Sequence, residues 1–254
     1  MEALSQPDIE AVTGSEFLPL TLKYEPITQF SNQRLVLRST MTISSQEFGT
    51  LEQEQYRYVA RRTAQSEQLF KRQLHKVLEA LPRLLKERPY IQAVTIPVYN
   101  RMLKKANLAS TIFEELATHP EASAANLCVE VSADVLFEDL EPMAAELQRV
   151  RDMGISIALW ELGDPFCPLL RLGEIPHDFL FLDSYAVSLL ADEEEEKQKL
   201  FKGLCQLLHA DEKSSVIAVE LPDSGLCERA ERLGCDGYSL AEGVQPPKEE
   251  EADK

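Results

Sequence analysis

No stretch of this sequence approaches the roughly 18 uninterrupted apolar residues that mark a membrane-spanning helix. Its first residues include the acidic Glu2 and Asp8 and no apolar run, so no secretory leader is read there. Both absences predict a soluble, cytoplasmic protein. Cysteine is sparse and odd in number: Cys128, Cys167, Cys205, Cys227 and Cys235 lie far apart and include no C-x-x-C pair. That argues against a zinc knuckle or a disulfide framework and predicts reduced, mostly buried thiols. Positive charge is short as well, with 26 Lys and Arg against 43 Asp and Glu and a formal charge of -17. Such a surface repels phosphate backbones and anionic lipid, so neither direct nucleic-acid binding nor membrane binding is expected. The acidic runs Asp192 to Glu196 and Lys248 to Lys254 read as solvated segments. A G-x-S-x-G elbow, a P-loop and a G-x-G-x-x-G loop are all missing, which removes the common serine-nucleophile and phosphate-cradle signatures.

What is present fits one α/β domain. A chain of 254 residues with 44% hydrophobic content has the size typical of a single (β/α)8 barrel. Short apolar, β-branched runs bounded by turn residues predict strands at 20–27, 34–43, 91–98, 127–131, 155–159, 179–182 and 216–219, with a weak one at 237–240. Helical patterns fall between them at 52–86, 102–118, 140–153, 170–172, 193–209 and 224–233. Leu74, Val77, Leu78, Leu81 and Leu85 recur along one helical face. Eight strands mostly alternating with helices predict a TIM-like (β/α)8 barrel. The first two strands are the exception: the loop around Ser31-Asn32-Gln33 is too short for a parallel crossover, so they are expected to be antiparallel. Residues 1–16 read as a mobile lead-in, 17–244 as the barrel and 245–254 as an acidic tail.

Barrel sites gather at the C-terminal ends of the strands. Those ends carry Arg38 and Thr40, Pro97 and Tyr99, Glu130 and Ser132, Trp160 and Glu161, then Asp183 and Glu220. Several carboxylates there suggest a metal cluster, but a guanidinium cannot ligate a cation and an indole only fills space. Trp160 reads as core filling or as a stacking platform. His177 follows Pro176 at a strand entrance, the stability end of a barrel, and reads as a loop or surface histidine. His75, His119 and His209 lie on helices or at their ends and carry no assigned role.

The order of these fragments resembles the EAL family of cyclic-di-GMP phosphodiesterases. Tyr24-Glu25-Pro26-Ile27 is similar to its opening Y-Q-P-I, and Leu127 to Ser132 to L-x-L-E-I-T. Gly49-Thr50-Leu51 with Tyr56 to Ala60 resembles G-x-I-x-P-x-x-F-I-x-x-A, and Gly154 to Gly163 resembles G-I-x-I-A-L-D-D-F-G. Ile175 to Asp183 follows L-P-x-D-x-L-K-I-D, Val216-Ile217-Ala218 the V-I-A of V-I-A-E-G-V-E, and Leu233 to Asp236 the L-G-C-D. The resemblance implies an EAL-type barrel with an antiparallel first strand. The string Glu2-Ala3-Leu4 precedes every core element and is a coincidence of letters.

Carried over position by position, the same resemblance implies loss of hydrolysis. Arg38 stands where the naming Glu belongs, Pro97 where a metal-binding Asn belongs, and Trp160 where the first Asp of D-D-F-G belongs. Phe181 replaces the Lys of K-I-D, and Val219 the first Glu of E-G-V-E, unless a one-residue slip puts Glu220 there. Glu130, Glu161 and Asp183 remain as remnants. An ion pair of Arg38 with Glu130 or Asp183 would let those carboxylates persist. No catalytic residue, metal or other cofactor is expected, with Mg²⁺ or Mn²⁺ entering only if the alternative of an active phosphodiesterase with substituted ligands holds. The loop Gly163 to Pro168 carries Asp164 and two prolines, so binding of cyclic di-GMP is not expected. The resulting expectation is a catalytically inactive regulatory or protein-interaction module, with a protein partner and, by resemblance, a homodimer.

Overall fold

Strands β1 (Leu20–Gln29) and β2 (Leu35–Ser45) pair antiparallel, in register from Leu20 opposite Ile43 to Thr28 opposite Leu35. The tight loop between them is set by the Asn32 side chain, which accepts from the Arg34 amide at 2.8 Å, and by Gln33 at φ 51. These features come from a computed structural model, which describes residues 19–46, 49–53, 55–57, 65–163, 167–210 and 213–246. The lead-in 1–16, the tail from residue 247 and Asp164 to Phe166 lie outside the described residues.

After a short strand β3 (Gly49–Leu51) added to the far end of β2, the chain lays down β4 (Ile91–Val98), β5 (Leu127–Ser132), β6 (Ser156–Leu162), β7 (Phe179–Leu182), β8 (Ser215–Leu221) and β9 (Gly237–Leu240). β4 pairs parallel with β2, and each later strand pairs parallel with the one before. β9 then meets β1 antiparallel and closes the barrel. This is the α/β barrel with an antiparallel first strand that the short loop required. Closure brings backbones very close: a Cβ built on Gly237 would lie 2.5 Å from the Thr28 carbonyl oxygen and 2.9 Å from Ile217 Cδ1. Gly237→Ala is therefore expected to cost about 1–3 kcal/mol or more by overpacking, read as a lower urea midpoint, because the backbone of β1 cannot retreat without opening the seam.

Helices α1 (Gln65–Glu87), α2 (Asn100–Lys104), α3 (Leu108–Ala117), α4 (Leu140–Asp152), α5 (Ser184–Ala191), α6 (Glu195–Leu208) and α7 (Leu226–Leu233) cover the outside. Leu69, Leu74, Val77, Leu78 and Leu81 of α1 are buried in the large core between helices and sheet. A second, smaller cluster fills the barrel interior with Ile27, Val36, Ala93, Cys128, Ala158, Phe179, Phe181 and Ile217.

Three elements differ from the sequence reading. The single helix expected over 102–118 is split at Ala106, whose φ of 52 no continuing helix adopts. Helix α5 has no counterpart among the expected helices; the Asp183 side chain caps it by accepting from the Ala186 amide at 3.1 Å. β3 is too short for periodicity to register. The acidic run Asp192 to Glu196 serves local structure: Lys197 bonds Asp192 at 2.6 Å, and Glu195 and Glu196 occupy the first turn of α6, where negative charge is favoured.

Candidate functional site

Strand alternation builds the barrel mouth in layers. Val36, Ala93, Cys128 and Ala158 form the apolar floor. Two residues further along the same strands, the same face carries Arg38, Thr95, Glu130 and Trp160. Pro97 follows Thr95 by the same period and stands opposite Glu130 in the β4–β5 register. Phe181 is fully buried among the floor residues, and Val219 packs at their edge. Burial pushes the Cys128 thiol well above its ordinary range, aided by the charge of Glu130 above it, so it is no nucleophile.

Arg38 and Glu130 dominate the polar layer, at 8% and 2% exposure. Arg38 Nε donates to Glu130 Oε1 at 3.1 Å and Nη2 donates to the same oxygen at 2.9 Å. Thr95 Oγ1 donates to Glu130 Oε2 at 2.9 Å, so both carboxylate oxygens are occupied. Arg38 Nη1 reaches outward to Glu220 Oε1 at 3.0 Å. Burial works against the guanidinium charge, but the pull and hydrogen bonds of Glu130, joined by Glu220, overcome it and hold Arg38 above its ordinary pKa. Of the alternatives expected for Arg38, Glu130 or Asp183, the structure has Glu130, and Glu220 joins as a second partner.

A second network occupies the rim. Arg57 Nη2 donates to Glu161 Oε1 at 2.9 Å, and Ser132 Oγ donates to Glu161 Oε2 at 2.8 Å. The Arg57 guanidinium carbon lies 4.2 Å from the centre of the Trp160 ring and that of Arg38 lies 5.7 Å from it. Trp160 is thus half-buried, packed against the floor cluster and covered by a guanidinium. It is also the sole tryptophan. Arg57→Ala is expected to shift its fluorescence emission to longer wavelength, because water reaches the face that the guanidinium covers.

Glu161 and Glu220 share an unusual backbone, with φ of 63 and 57. Each sits where the ladder loses register, between Leu159 and Leu162 on β6 and between Ala218 and Leu221 on β8. Such an extra residue re-aims a side chain. Trp160 and Glu161 therefore both take part in the mouth, and on β8 Val219 packs at the floor while Glu220 reaches Arg38. His177 is buried rather than on the surface, its Nδ1 2.9 Å from the Ile175 carbonyl at the opposite end of β7. Glu130, Glu161 and Asp183 are held by different partners, and among the described residues they do not form a convergent set of ligand atoms. Thr95 and Arg57 escaped the sequence reading; Thr95 was within reach of it, two residues before Pro97 on one face, while no spacing marks Arg57.

The family model for the EAL domain matches residues 15–239. A comparison with curated proteins finds no match. Among solved structures, the chain is similar to the EAL enzyme Bd1971 in its cAMP- and cyclic-di-GMP-bound form, with a TM-score of 0.80 and 16% identity over 92% of this chain and 63% of that one. It therefore spans less than two thirds of Bd1971. It is also similar to the PaMucR phosphodiesterase in complex with cyclic di-GMP, with a TM-score of 0.76 and 18% identity over 87% of this chain and 89% of that one. A third is the FimX EAL domain from Pseudomonas aeruginosa bound to cyclic di-GMP, with a TM-score of 0.75 and 13% identity over 92% and 91% of the two chains. At these identities the likeness speaks for the barrel.

Proposed function

The chain belongs to the EAL domain family, and from that premise we propose that it is a non-catalytic member, a regulatory or protein-interaction module in cyclic-di-GMP signalling. The buried Arg38–Glu130 pair carries this reading. Two-metal phosphodiester hydrolysis needs two divalent ions about 3.5–4 Å apart, each held by oxygen ligands. The donor set of this mouth does not fit such a pair. Arg38 offers only N–H donors, Glu130 has both oxygens committed, and unit charges of like sign about 4 Å apart repel by about 4 kcal/mol at an effective dielectric of 20. Trp160, Pro97, Phe181 and Val219 supply no side-chain oxygen.

Acidic surface and helix faces then carry the contacts to a protein partner, and pairing of two copies is a proposal by family likeness. No helix among the described residues is long and apolar enough to cross a membrane; a cytoplasmic place is part of the proposal, by family likeness. A second reading, capture of cyclic di-GMP without hydrolysis, draws on relatives whose structures hold that nucleotide. Incubation with cyclic di-GMP and Mn²⁺ is expected to leave the nucleotide intact; linear dinucleotide product would decide for an active phosphodiesterase. Calorimetry with and without Mg²⁺ separates the two inactive readings, since metal-independent heat of binding favours the second.

A further inference from the structure

Outside the barrel, the packing of α1 on α3 brings His75 beside Glu115 and His119, which stand four residues apart at the C-terminal end of α3. His75, Glu115 and His119 each present one metal-ligating atom, and these atoms lie within 4.8 Å of one another. We propose that they form a binding site for a transition-metal ion of the zinc class, separate from the barrel mouth.

The hydrogen bonds around the cluster orient it for this task. His75 Nδ1 lies 3.3 Å from Glu115 Oε2. Two ligands on a tetrahedral ion with bonds of about 2.0–2.1 Å are themselves about 3.3 Å apart. The other ring nitrogen of His75 faces Glu79 Oε1 at 3.5 Å, and Glu79 is held in turn by Lys76 at 2.8 Å. A carboxylate behind an imidazole fixes the tautomer that aims the free lone pair at a metal. His119 sits at i+4 from Glu115, and its Nδ1 is 2.9 Å from the Glu115 carbonyl oxygen. A carbonyl only accepts, so Nδ1 carries the proton and Nε2 is left as the ligand atom. The two rings meet at 76° with centroids 4.8 Å apart, which keeps both imidazoles beside the Glu115 carboxylate.

Two imidazoles and one carboxylate suit Zn²⁺ and its neighbours in the first transition row, whereas Mg²⁺ and Mn²⁺ favour all-oxygen sets. His75 and Glu115 also line a cleft of about 590 Å³ that includes Lys71, Arg72 and Lys76.

The test uses the full chain, stripped of metal with a chelator and titrated with Zn²⁺ by calorimetry and with Co²⁺ by visible absorption. One ion per chain is expected, with the intense visible bands of a tetrahedral cobalt site. His119→Gln and Glu115→Gln should each weaken Zn²⁺ binding by more than about 100-fold, above the 10–100-fold typical of losing an outer-shell partner. Both variants should melt at the wild-type temperature without metal. His209→Gln, whose ring bonds Asp236 at a distance from the cluster, and Glu161→Gln in the mouth should bind as wild type. Zn²⁺ affinity unchanged in His119→Gln, or lost in Glu161→Gln, would overturn the site. Neither result bears on hydrolysis, which is read with another metal at other residues.

Discussion

Glu130→Ala is expected to destabilise the protein by about 3–5 kcal/mol, the usual result of stripping one partner from a buried ion pair. The physical cause is the guanidinium left behind. Arg38 has 8% exposure, and its pKa is held above the ordinary value by Glu130 against the cost of burial. Glu220, an exposed partner, cannot replace that support, and Thr95 offers a hydroxyl with no charge. A protein of this size loses about 2–4 °C of melting temperature per kcal/mol, so the expected drop is roughly 10 °C. Glu220→Ala is the control, with a cost of at most about 1 kcal/mol, because that pair is open to solvent and screened. The double variant Arg38→Met with Glu130→Leu should recover most of the loss, since an apolar pair of similar volume removes the buried charge altogether. Equal stability of Glu130→Ala and wild type in a urea titration would show that the pair is not what holds the mouth together.

Phe181→Lys is expected to be as damaging, at about 3–5 kcal/mol or enough to prevent folding. The substitution restores the residue that family resemblance places there, so a mouth merely awaiting its old ligands should tolerate it. Phe181 is fully buried within the apolar barrel floor beside Val36, Ala158 and Ile217. An ammonium in that layer loses its hydration and lies below the already positive Arg38, while the ring volume is vacated. Phe181→Leu separates the two causes, because it vacates volume without adding charge and should cost only about 1–2 kcal/mol. Urea midpoints of the two variants decide. If the lysine variant is as stable as the leucine variant, the floor is wetter or more adaptable than its packing indicates.

The frame was legible because its signals are local. Alternating apolar strands, the short loop at Ser31 to Gln33 and the apolar face of α1 each follow from a few neighbouring residues, and they gave strand bounds at 91–98, 179–182 and 237–240 that the structure repeats. Arg38 and Glu130 were legible as mouth residues for the same reason. Their neighbours were not: Glu220 joins Arg38 only because a break in register turns it, through a left-handed backbone that no residue type announced. Arg57 arrives from a segment outside the strands, and the capping role of Asp183 shows only once the helix that follows it is seen. The histidine cluster lay hidden because His75 and His119 meet only through helix packing.

Anomalous diffraction from crystals grown with Mn²⁺ and cyclic di-GMP tests the central claim most directly. The account predicts Arg38 still seated on Glu130 and no manganese peak in the mouth. Two manganese ions coordinated among Glu130, Glu161 and Asp183, with Arg38 displaced, would contradict it.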